Sequence, residues 1–255
     1  MKKGKRLVVA NWKMNPASAA EARVLFNKTK LAGSKLEAVE TVICPPFPYL
    51  GVFAHGGTTR VRLGAQSLFW ANSARATGEV SPEQLSDLGI SFVIVGHSER
   101  RAFGETNEVV ARKLKATLAE GLTPVLCVGE RERDAEGRYL DTLKAQLTAS
   151  LAGTNRSQLR DIVIAYEPLW AIGKSARDAM NPRVVRETEI FIRKTLTDLF
   201  GAGEAREPRI LYGGSVEEAN TKAMLTDGGV DGLLVGHASL DAEGFIKMLK
   251  TANNL

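Results

Sequence analysis

The chain has 255 residues, 44% of them hydrophobic and 25% charged, with a formal net charge of +5. That length allows one large core, and the mild positive balance suits an anionic substrate more readily than a nucleic acid, because no basic block with interleaved aromatics is present. The basic start Met1 to Arg6 resembles a secretory n-region, but the apolar run after it, Leu7 to Ala10, is too short and meets Asn11, Trp12 and Lys13; no segment reaches membrane-spanning length.

In chain order, short β-branched or apolar runs recur at Leu7 to Ala10, Val39 to Cys44, Val61 to Ala65, Phe92 to Val95, Val125 to Val128, Ile162 to Tyr166, Ile210 to Tyr212 and Leu233 to Val235. Helical patterns fill the gaps. Helices are expected from Ser18 to Leu31, Thr106 to Glu120, Tyr139 to Leu151 and Pro182 to Phe200, with shorter ones after Pro46, Ser215 and Ala242. Ser81-Pro82-Glu83 reads as an N-cap, a first-turn proline and a first-turn acid. Cys44 and Cys127 fall in strand-like surroundings and need not pair, so a reducing cytoplasm is the expected setting.

Alternating strands and helices predict a parallel α/β sheet, open or closed. An open dinucleotide-binding sheet would carry a glycine fingerprint after its first strand, whereas this one runs into Asn11-Trp12-Lys13-Met14-Asn15. Eight units in this length fit a closed (β/α)8 barrel, taken as a single domain over residues 1–255. In such a barrel the C-terminal strand ends share one face. The residues that follow the strands include Asn11 and Lys13, then Gly96, His97, Ser98 and Glu99, then Glu167, Gly213-Gly214-Ser215, and Gly236 with His237.

Each residue has an ordinary reading: a solvated lysine, a satisfied structural histidine, a loop glutamate, tight-turn glycines. Together they suggest chemistry. A lysine in a barrel mouth attracts anions and stabilises charge developing on a carbonyl oxygen. His97 precedes Ser98 and Glu99, the expected first turn of a helix, and a helix N-terminus disfavours an imidazolium, so a neutral ring donating one hydrogen bond is expected. Glu167 ends a buried strand and is followed by a short apolar segment closing on Gly173, the pattern of a base beneath a water-excluding lid. The two late glycine turns can offer backbone N–H groups to a phosphate. His55, His97 and His237 are scattered, which argues against a metal cluster.

Four segments, Asn11 to Asn15, Gly96 to Arg101, Ala165 to Gly173 and Tyr212 to Val216, closely resemble the signatures of the triosephosphate isomerase family, in order and over essentially the whole chain. The resemblance implies a homodimeric (β/α)8 TIM barrel of glycolysis and gluconeogenesis, interconverting dihydroxyacetone phosphate and glyceraldehyde 3-phosphate without metal or organic cofactor. It assigns Glu167 as the base and His97 as the polarising acid, Lys13 and Asn11 as charge stabilisers, and Glu99 as their support. Phosphate would rest on Gly173, Ser215, Gly236 and His237, under a lid formed by Pro168, Leu169, Trp170, Ala171 and Ile172. Thr77 would belong to the dimer loop. The sequence departs from the family pattern at the lid end Lys174 to Asp178, at His237, at Ala74 and Ala76, and in a shortened segment Arg101 to Glu105 that is expected at the surface. The rival readings are a sister isomerase for a tetrulose phosphate, a silent scaffold and, more remotely, a nucleic-acid binder.

Overall fold

The computed structural model describes residues 4–54, 60–72, 75–173 and 180–255; His55, Ala74 and the lid end from Lys174 to Asp178 lie outside them. The apolar runs become eight parallel strands: β1 (Arg6–Asn11), β2 (Val39–Cys44), β3 (Val61–Ala65), β4 (Phe92–Val95), β5 (Thr123–Val128), β6 (Val163–Tyr166), β7 (Arg209–Tyr212) and β8 (Gly232–Val235). They pair in sequence order, and β8 returns to β1 to close the barrel. Several strands begin earlier than their apolar run because backbone pairing, not side-chain polarity, sets their limits. Arg6 pairs with Val39 and Arg209 with Val163.

The helices between strands are α1 (Ala19–Gly33), α2 (Phe47–Phe53), α3 (Pro82–Asp87), α4 (Ser98–Ala102), α5 (Asn107–Ala119), α6 (Arg138–Ser150), α7 (Pro182–Phe200), α8 (Glu218–Thr226) and α9 (Ala242–Asn253). Local chemistry fixes many starts. Ser18 and Thr106 accept from amides in the first turns of α1 and α5, and Ser81 forms a capping box with Gln84 at α3. Among the described residues no helix is long and apolar enough to cross a membrane.

Side chains alternate across each strand and divide the core in two. Leu7, Val9, Val42, Cys44, Phe92, Ile94, Val125, Cys127, Val163, Ala165, Leu211 and Leu234 form the buried cluster inside the barrel. Val8, Ala10, Ile43, Val93, Leu126, Ile164, Tyr212 and Val235 face outward into the larger cluster under the helices. Each large apolar side chain buried this way contributes about 1.5 to 3 kcal/mol before the entropy of ordering is subtracted. Both cysteines are buried and unpaired.

Continuing the alternation beyond the C-terminal strand ends brings Asn11, Gly96, Gly129, Glu167, Gly213 and Gly236 to the inward position. With Pro46 and Gln66 reached in the same way after β2 and β3, the lumen ends in a layer of glycines and a few polar side chains. At the opposite end the same inward series reaches Glu40, Arg62 and Arg209, which pair: Arg209 Nη1 lies 2.7 Å and Arg62 Nε 3.2 Å from the Glu40 carboxylate. Fold geometry therefore gives the barrel a charged, self-paired floor and a glycine-lined mouth.

Candidate active site

Lys13 follows β1 and has φ 53, the left-handed region that costs a lysine about 1 to 3 kcal/mol. Its surroundings hold it there. The buried Asn11 Oδ1 accepts from Lys13 N at 3.0 Å, and Gln66 Nε2 donates to Lys13 O at 2.7 Å and to Cys44 O at 2.9 Å. The ammonium meets Glu99 Oε1 at 2.6 Å.

Gly96 has φ 70, and a Cβ there would stand 3.0 Å from both Val110 and the Arg101 guanidinium, so the turn out of β4 requires glycine. The turn delivers His97 as the N-cap of α4, where Nδ1 accepts from the Glu99 amide at 3.2 Å. An accepting Nδ1 leaves the ring proton on Nε2, the donor nitrogen of the neutral tautomer. Nε2 lies 3.1 Å from Glu167 Oε1. Arg101 braces this corner by donating to Gly96 O at 2.8 Å and Cys127 O at 3.3 Å. The shortened segment is therefore not all surface: Glu105 forms a buried pair with Lys113 at 2.7 Å, whereas Phe103 is exposed.

Glu167 is the next inward residue after Val163 and Ala165, and it is only 2% exposed. Its Oε2 accepts from Ser98 N at 3.2 Å. Glycines make the space for it. A Cβ at Gly213 would fall 2.9 Å from Glu167 Cγ, and one at Gly129 would collide with the Glu167 carbonyl. Burial, reinforced by the Glu167 charge, pushes the Cys127 thiol well above its ordinary range, so the sulfur beneath the carboxylate remains protonated.

The segment after Glu167 is tied back to β5. Leu169 N donates to Glu130 O and Trp170 Nε1 to Glu130 Oε1, both at 2.9 Å. The same Oε1 receives Tyr166 OH at 2.8 Å and Arg133 Nε at 3.1 Å, and the Arg133 guanidinium lies 4.4 Å from the Tyr139 ring centroid and 5.8 Å from that of Trp170. Burial raises the Tyr166 phenol, which keeps it a donor.

A cavity of about 380 Å³ joins Asn11, Lys13, His97, Glu167, Ile172, Gly173, Ser215, Gly236 and His237. All the expected base, acid, charge-stabilising and phosphate positions meet there except Glu99, which reaches in by way of Lys13 Nζ. Gly173 has φ 74, a conformation that favours glycine. Two helix starts lie further off than expected: α8 begins at Glu218, its Glu217 cap accepting a first-turn amide, and His237–Leu240 is a 3-10 turn before α9. The residues just after both glycine turns stay outside α-helices for that reason. Of the expected lid residues Pro168 to Ile172, Ile172 lines this cavity, whereas Leu169 faces a neighbouring cavity of about 470 Å³ that Glu167 also lines. Thr77 sits apart on an exposed turn. Among the described residues no group of three or more His, Cys, Asp or Glu could hold a metal ion.

Sequence reasoning passed over Gln66, Gly129, Glu130, Arg101 and Arg133. Gln66, Gly129 and Glu130 follow β3 and β5 directly, so the strand-end rule that found Lys13 and Glu167 would have found them. Arg101 and Arg133 act from loops and helices, and only contact geometry reveals them.

A family model described as triosephosphate isomerase matches residues 6–252. Curated relatives bearing the same name include one from Dehalococcoides mccartyi, 42% identical over 249 residues that make up 96% of each chain. One from Solibacter usitatus is 42% identical over 96% of this chain and 98% of its own, and one from Rhodopirellula baltica 40% identical over 96% and 97%.

Proposed function

Since the chain belongs to the triosephosphate isomerase family, we propose that the cavity at its C-terminal barrel face, within one domain spanning residues 1–255, interconverts dihydroxyacetone phosphate and D-glyceraldehyde 3-phosphate. The observation that carries this is the contact of a buried carboxylate with an imidazole, Glu167 Oε1 and His97 Nε2, 3.1 Å apart in the cavity that also holds Lys13.

In this reading a substrate carbonyl oxygen displaces Glu167 from His97 Nε2 and accepts its hydrogen bond. Glu167 then removes a proton from the carbon next to that carbonyl and returns it to the neighbouring carbon of the ene-diolate, while His97 gives its Nε2 proton to one ene-diolate oxygen and recovers a proton from the hydroxyl on the other. Lys13 and Asn11 stabilise the negative charge on oxygen as it develops, Glu99 holding the ammonium in place. Backbone N–H groups of Gly173, Ser215, Gly236 and His237 hold the phosphate, and the segment Pro168 to Ile172 excludes water so that the ene-diolate keeps its phosphate. The reaction is a step of glycolysis and gluconeogenesis, placed in the cytoplasm. A coupled assay tests the assignment: kcat/KM for glyceraldehyde 3-phosphate should exceed that for a tetrulose phosphate by orders of magnitude, and the reverse order would replace the substrate.

The working unit in this reading is a homodimer. Two large apolar side chains stand in water, Met14 next to Lys13 at 91% exposure and Phe103 after α4 at 83%. Covering them with a second copy, which the loop at Thr77 would help to hold, removes that exposure. Sedimentation should give a dimer at micromolar concentration; a monomer alone would refute it.

A further inference from the structure

Among the described residues, the cavity proposed to receive substrate is short of positive charge. Its ionisable lining residues among those described are Lys13, His97, Glu167, Glu217 and His237. Lys13 is already paired with Glu99 at 2.6 Å, and two of the lining residues are carboxylates. A phosphate dianion entering this cavity therefore meets one compensated cation and two anions. His97 is poorly placed to help, because a second proton on Nδ1 would turn the acceptor of the Glu99 amide into a donor facing a donor.

His237 has no such tie. It is exposed, lines the cavity, and its imidazole makes no hydrogen bond or ion pair among the described residues. Its chain neighbour Gly236 lies against the lysine stem, with a Cβ position 3.3 Å from Lys13 Cε. The acids of the element behind it, Asp241 and Glu243, line a separate cavity instead, and Asp241 is occupied by the first amides of α9. We propose that the His237 imidazole is itself a phosphate-binding group, which on protonation supplies the cavity with a second cation beside Lys13. This rests on the cavity being the phosphate site, and it goes beyond the backbone N–H role. The consequence is an affinity for the phosphorylated substrate that rises as pH falls through the histidine range.

Sulfate separates the protein's titration from the ligand's, because it stays a dianion where a phosphate monoester gains a proton. Its binding to the intact protein is to be followed by calorimetry between about pH 8.5 and 5.5. The wild type should bind sulfate roughly five- to tenfold more tightly at the acid end, the size of one added charge at short range in a half-exposed site. His237→Gln should change less than about twofold over the same interval. An undiminished pH dependence in that variant overturns the proposal. Should His237→Gln fail to fold, NMR of the wild type decides: sulfate should keep the His237 ring resonances in their protonated position to higher pH, and resonances indifferent to sulfate overturn it. Because neither readout needs turnover, an inactive wild type with His237-dependent sulfate binding would defeat the isomerase reading and leave this one standing.

Discussion

The two ends of the barrel use charge in opposite ways. At the N-terminal floor, Glu40 receives two guanidiniums, and Arg6 turns its own onto the carbonyls of Val230 at 2.6 Å and Leu225 at 3.4 Å. At the C-terminal mouth the Glu167 side chain is more deeply buried than that of Glu40, yet its hydrogen-bond donors are one imidazole N–H and one backbone N–H, with no guanidinium or ammonium between them. A buried carboxylate without a countercharge contributes little to stability and is expensive to maintain. The floor is thus arranged to be satisfied by the protein alone, and the mouth to be completed by something that arrives.

The sharpest way to test that contrast is to remove the carboxylate from the mouth. Glu167→Gln keeps the shape and one acceptor oxygen but cannot take a proton, so kcat should fall by about 10² to 10⁴. The thermal midpoint should barely move, as measured by circular dichroism alongside the coupled assay. Turnover within a few-fold of wild type would falsify the role of Glu167 as base.

A smaller effect should come from the space around it. Gly213→Ala puts a methyl 2.9 Å from Glu167 Cγ, so the carboxylate stem must shift. Displacing a reacting group by a fraction of an ångström to an ångström costs roughly 10-fold to 10²-fold in kcat, with KM changed less. An equal loss in KM alone would mean that position 213 serves substrate binding rather than the placement of the base.

Both residues show how much was legible in the sequence. Glu167 stood out because a strand of Ile162, Val163 and Ile164 ends in an acid and a proline, and the β-sheet period then dictates that it points inward. Gly213 was legible as a turn glycine, but its service to Glu167 was not: it depends on β6 and β7 lying side by side in register, Tyr166 against Tyr212. The strands themselves were read nearly residue for residue, since buried parallel strands are continuous apolar runs. Arg6 and Arg209 were missed as strand residues because a guanidinium inside a sheet is tolerated only where partners await it, and those partners sit more than 150 positions away in the chain. Glu130 was within reach of the strand-end rule as a position, but what it does, and what Arg133 does, was not: their partners are Trp170 and Tyr166, brought to them by the β5 to β6 pairing.

The least disruptive test strikes the floor. Glu40→Gln removes the charge that Arg62 and Arg209 share, but those side chains are 54% and 32% exposed and can turn to water, and the Glu40 side chain is itself 19% exposed. The loss should therefore be about 1 to 2 kcal/mol, less than breaking a fully buried pair. For a chain of this size that lowers the thermal midpoint by a few degrees, roughly 2 to 4 °C per kcal/mol. The decisive companion measurement is kcat/KM, which should stay within twofold of wild type, because the apolar layers of Leu7, Val9, Ile94 and Leu211 separate the floor from Glu167 and are packed too closely to transmit a local loss of charge. If activity falls while the midpoint holds, the floor is part of the site after all, and the division of the barrel into a self-satisfied end and a waiting end is wrong.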